Sequence, residues 1–172
     1  MDVDENGWAL GVVAPLDAPA FTVLSPEPDA RVDAERWAHQ ARRFFSLELD
    51  VVTPKRYPTG AFPLADRLEV DVARGLSRGR VVVVTLPEAR VPSAKRGGVR
   101  AAIAMRRGGM DAVAERARRV WQIAPATGDA RAAIAVAAVL ASELLGPVVE
   151  GAGLDVFGVK GARERLAKAG WG

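Results

Sequence analysis

Four consecutive valines, Val81 to Val84 in "RVVVVTL", constrain the fold of this chain more than any other feature. β-Branched side chains lose rotamer freedom in a helix and pack well on a pleated surface. Successive strand residues point to opposite faces, so a continuous apolar run needs cover on both. The run therefore predicts an interior strand of a parallel or mixed sheet enclosed by helices.

The rest of the chain alternates between strand-like and helix-like stretches. "WALGVVA" from Trp8, "AFTVL" from Ala20, "LELDVVT" from Leu47, "VRAAIAM" from Val99 and "LDVFGV" from Leu154 read as strands bounded by Pro or Gly. Trp37, Ala41, Phe44 and Phe45 recur at helical spacing after Asp33, a good N-cap, which predicts a helix over 34–46. "GGMDAVAERARRVW" from Gly108 reads as an amphipathic helix with Val113, Ala117, Val120 and Trp121 on one face, and "KGARERLAKAG" from Lys160 as a terminal helix. Residues 64–76 fit two patterns. Leu64, Leu68, Val72 and Leu76 keep helical spacing after Pro63, and helix is the preferred reading; Leu68, Val70 and Val72 also alternate, and the rival is a hairpin with "RVVVVTL".

"AAIAVAAVLASELLGPVV", Ala132 to Val149, has the length of a short membrane span but holds Glu143 and a Gly146-Pro147 break, and is rich in Ala rather than Leu or Ile. It reads as a buried helix within 129–149, with self-association as its alternative use. The expectation is thus an α/β fold: one layered domain over residues 1–172, with residues 1–6 frayed, and a mixed or parallel sheet of about four to six strands flanked by helices.

Charge is unevenly distributed. Residues 1–50 carry ten acids and four bases, whereas residues 74–119 carry twelve bases and three acids. Such asymmetry suits an anionic partner, and equally two lobes that attract each other. The densest part, "RVPSAKRGGVRAAIAMRR" from Arg90 to Arg107, reads as a loop running into a strand. At the carboxyl end of a central strand it would place Arg90, Lys95, Arg96 and Arg100 as charge-assisted donors, with Gly97 and Gly98 letting an oxyanion approach the backbone. These six residues form the candidate ligand site. They are not a phosphate-binding P-loop, because the Lys precedes the glycines; a solvated basic loop is the plainer reading.

Other chemistry has little support. There is no Cys, and His39 is the single His, so thiolate and multi-His metal sites are ruled out. "GAGLDVFG" departs from the dinucleotide pattern, and no G-x-S-x-G elbow presents a serine. Glu48 with Asp50, and Glu69 with Asp71, would share a strand face, as any half-exposed strand presents polar residues. Residues 74–119 lack Phe, Tyr and Trp, so no stacking platform for single-stranded nucleic acid lies there; Tyr57, in "PKRYPTG", is the one aromatic in a basic loop.

The sequence therefore predicts no catalytic residue, metal or cofactor. The first functional expectation is a non-catalytic interaction or assembly module, forming a homo-oligomer or binding a protein partner, with the Ala-rich helix or Trp171 at the contact. The second is a binder of an anionic ligand, nucleotide, phosphate or nucleic-acid backbone through residues 90–107; the third is an enzyme with an unrecognised site. Cys-free composition and an acidic start without a basic, apolar leader fit a cytoplasmic protein with no membrane association, and Ala, Arg and Val usage fits a GC-rich bacterial source.

Overall fold

The alternating stretch "RLEVDVARGLSRGRVVVVT" folds back on itself. Gly75, with φ of +58°, supplies the left-handed turn conformation, and eight residue pairs then zip Arg67–Arg74 to Ser77–Thr85 from Arg67 opposite Val84 to Arg74 opposite Ser77. In the computed structural model, which describes residues 15–30, 33–52, 67–151 and 155–171, this hairpin lies within a seven-stranded sheet. The strands are β1 (Phe21–Ser25), β2 (Glu48–Val51), β3 (Arg67–Arg74), β4 (Ser77–Thr85), β5 (Arg119–Gly128), β6 (Val148–Glu150) and β7 (Asp155–Phe157), in the order β2-β3-β4-β5-β1-β6-β7. The helices are α1 (Ala34–Phe45), α2 (Val91–Ala104), α3 (Met110–Glu115), α4 (Ala132–Leu144) and α5 (Val159–Lys168).

Every strand pairing is antiparallel, which corrects the expected mixed or parallel sheet of about four to six strands. The run is buried on the face under α1, α4 and α5, while on the other face Val84 is buried and Val82, opposite Glu69, only partly so; an apolar β-branched run of this kind does not demand parallel neighbours. β4 is interior, as expected, and Val81, Val83 and Val84 are buried. Val81 and Val83 face a core built by α1, α4 and α5, with Trp37, Trp121 and Trp171 among its largest side chains. A smaller core on the opposite face joins Leu24, Val120, Val149 and Val156 to Val91, Ala101, Ala102 and Ala114 of α2 and α3.

The Ala-rich segment is a helix with ten of its first ten residues, Ala132 to Ala141, buried. Small side chains let it lie close against the sheet; at Gly79 a side chain would strike the Asp129 carbonyl and lie 2.7 Å from the Ala132 Cβ. The helix stops at Leu144, and Val148 and Val149, expected to belong to it, lie in β6. At the turn between them, any side chain on Gly146 would overlap the Leu24 carbonyl.

Three further readings are overturned. Residues 67–74 are a strand, because pairing with β4 satisfies their backbone and their alternation together. Residues 91–104, expected as a loop and a strand, form one helix with Pro92 in its first turn, where no N–H is needed. The expected helix over 108–121 shrinks to α3; Val120 and Trp121 belong to β5, paired on both edges by β1 and β4. The strand expected at Trp8–Ala14 and the loop containing Tyr57 lie outside the described residues.

Candidate interaction surface

Because 91–104 is helical, the six expected ligand residues are redistributed. Arg96 and Arg100, four residues apart, share the exposed face of α2, while Lys95 lies about 100° around the helix from Arg96. Arg90 ends a short 3-10 turn before the helix. The two glycines separate by role. A Cβ on Gly98 would sit 2.7 Å from Leu24 Cδ1 and 3.5 Å from Val149 Cγ2, so Gly98 lets α2 lie on the sheet. A Cβ on Gly97 would meet nothing within 4 Å, and no positive φ requires glycine there.

Gly97, Gly98 and Arg100 do meet, in a hollow of about 410 Å³ between α2 and the sheet. Ala94, Ala101 and Ala104 line its helix side, and Thr22, Val149 and Gly151 its sheet side. Arg100 is its one charged lining residue among the described residues. Arg90, Lys95 and Arg96 lie outside it. The backbone N–H groups of Gly97 and Gly98 are inside a helix, so the expected oxyanion cradle of exposed amides does not form.

The outer layer made by α2, α3 and their connections carries eight bases and three acids over residues 88–118. Of those bases, Arg107 alone is in an ion pair among the described residues. Arg90, Lys95, Arg96, Arg100, Arg106, Arg116 and Arg118 have no ion-pair partner among the described residues. The same layer holds Ile103, Met105 and Val113, three of the six large apolar side chains exposed among the described residues. Scattered exposed apolar residues are ordinary, but three in one two-helix layer among unneutralised cations form a distinct surface.

Elsewhere, charges are taken up internally. Asp155, buried on β7, accepts two hydrogen bonds from Arg107 at 3.1 and 3.0 Å and one from Arg165, tying the α2–α3 connection and α5 to the sheet edge. The Arg107 hydrogen bonds hold its carboxyl below the ordinary range, against the opposing effect of burial. Glu48, Asp50, Glu69 and Asp71 do lie on one sheet face, with Asp50 opposite Asp71. Arg80 grips Asp71 at 2.6 and 2.9 Å and reaches Glu69 at 3.3 Å, and Arg42 grips Glu48 at 2.9 Å, lowering its pKa. This is a charge ladder on an open sheet face and a guarded edge strand rather than an acid–base pair.

His39 is exposed on α1, as its spacing implied. Among the described residues no three His, Asp or Glu side chains gather to hold a metal ion, and no helix is long and apolar enough to cross a membrane. No protein-family model, curated protein or solved structure matches the chain.

Proposed function

We propose that the chain is a non-catalytic interaction module that docks through its α2–α3 layer onto an acidic protein surface. The observation that supports this most is the coincidence, in one layer, of seven cations without ion pairs among the described residues and the exposed Ile103, Met105 and Val113. Cations steer an acidic partner and fix its orientation, while exposed apolar side chains supply the area whose burial stabilises the complex. The expected contacts for assembly, the Ala-rich helix and Trp171, are buried within the fold, so this layer replaces them as the docking face.

Titration with poly-glutamate at low and physiological salt tests the reading. The chain should bind at low salt, and replacing Arg96, Arg100, Arg106 and Arg116 by Ser should abolish binding. The melting temperature should hardly move, since exposed substitutions of this kind each change stability by less than about 0.5 kcal/mol. Equal binding by parent and variant would refute the assignment.

A second reading is favoured by one feature, the shared exposed face of Arg96 and Arg100: contact with a nucleic-acid backbone, which would be salt-sensitive and indifferent to base sequence. The absence of aromatic residues from 74–119 and the presence of exposed aliphatic ones place it second. A labelled oligonucleotide that bound more tightly than poly-glutamate at equal salt would reverse the order.

A further inference from the structure

Gly97 is a glycine that the fold does not require. It lies in the middle of a helix, where glycine is unfavourable relative to alanine, it has no left-handed φ, and its missing side chain would touch nothing. Gly98 beside it, Gly79 and Gly146 are all explained by close packing. What Gly97 does is open the wall of the hollow of about 410 Å³ beside α2.

The rest of that wall matches it. Ala94, Ala101 and Ala104 stand with Gly97 along one side of the helix, so another chain is able to approach the α2 backbone closely. Thr22 and Val149 form the floor, and Arg100 stands at the rim without an ion pair, with Arg96 one turn before it. A volume of this size accommodates a few small or branched apolar side chains but not a large cofactor. Among the described residues, the one charged group in its lining is the cationic Arg100.

We infer that the hollow is the anchoring point of the docking face, and that its occupant is an acidic peptide segment of a partner protein that places an apolar side chain against Gly97 and Ala101 and carboxylates against Arg96 and Arg100. The inference rests on the reading of the α2–α3 layer as a docking face, and adds which part of it confers selectivity. A second copy of this chain docking through the same helix is disfavoured, because Arg96 and Arg100 would meet their own counterparts.

The test compares a labelled peptide of Glu, Ala and Leu with poly-glutamate, by fluorescence anisotropy at physiological salt. The peptide should bind the parent at least about tenfold more tightly than poly-glutamate does, a difference that poly-glutamate's charge alone cannot supply. Gly97→Leu should remove that preference, because its Cβ meets nothing within 4 Å and the rest of the side chain is added to the lining of the hollow. Ala104→Leu, at an exposed position on the same wall, should do likewise, whereas Gly97→Ala should bind as the parent does or only slightly more weakly. Poly-glutamate binding at low salt should stay unchanged in all three variants, and the melting temperature of Gly97→Ala should rise. Full peptide binding by both Leu variants would overturn the hollow as the anchor, as would a parent that binds the peptide no better than poly-glutamate; in either case the basic face would stand on its own poly-glutamate result.

Discussion

Single residues show how far side-chain chemistry follows from sequence and where it departs. Asp155 gave no local signal, since its partners Arg107 and Arg165 come from different helical layers and meet only around the edge of β7. Its role is to clamp those layers, and its pKa makes the clamp testable. A carboxylate whose folded pKa is depressed contributes stability that is present above its unfolded pKa and lost as pH falls through the folded value. The parent should therefore lose stability progressively below about pH 4, where free aspartate begins to protonate. Asp155→Asn should cost about 1–3 kcal/mol at neutral pH, because it leaves a buried polar group poorly matched to two guanidiniums. Its stability should then fall less steeply on acidification, as urea denaturation at several pH values would reveal. An equal acid slope in parent and variant would remove Asp155 from the account. The glycine pair carries the opposite lesson: "GG" in sequence marks a loop, but Gly98 is there for helix-on-sheet packing, a reason visible only once Leu24 is seen beneath it.

At the scale of elements, legibility depended on whether a pattern had one solution. α1 was readable because Asp33 caps it through the Arg36 N–H and Trp37, Ala41 and Phe45 bury one face. α4 was readable because an all-apolar Ala-rich run suits a helix in the centre of a core. The 67–74 segment had two solutions, and its partner strand chose between them. α2 was hidden by its glycines and basic residues, and β5 by the helical spacing of Val113, Ala117, Val120 and Trp121. The strand direction of "RVVVVT" could not be read from its composition, because a β-branched apolar run suits an interior strand with parallel or antiparallel neighbours alike. The interior position of β4 itself makes a firm prediction. Val83→Asp would place an unpaired carboxylate in the main core, where Val83 is 1% exposed. The cost of several kcal/mol, against a total stability of about 5–15, should abolish soluble expression or cooperative unfolding. A variant that melts like the parent would contradict the core as described.

For the whole molecule, the two faces of the sheet have different tasks. The face under α1, α4 and α5 holds the larger core, with three buried tryptophans. The other is covered by the lighter α2–α3 layer over β1, β6 and β7, while β3 and β4 present Glu69 and Asp71 bonded to Arg80. On the sheet Arg80 is paired with Asp71 and Glu69, whereas seven cations of the helical layer have no ion-pair partner among the described residues. Of the expected site, Gly97, Gly98 and Arg100 meet at the hollow in that layer, and Arg90, Lys95 and Arg96 lie in the layer but outside the hollow. The central claim, that this layer is where a partner binds, is tested most directly by amide hydrogen exchange with and without poly-glutamate at low salt. Docking predicts slower exchange in residues 91–116, with β2 and β3 unchanged. Protection confined to other segments, or none at poly-glutamate concentrations that saturate binding, would contradict it.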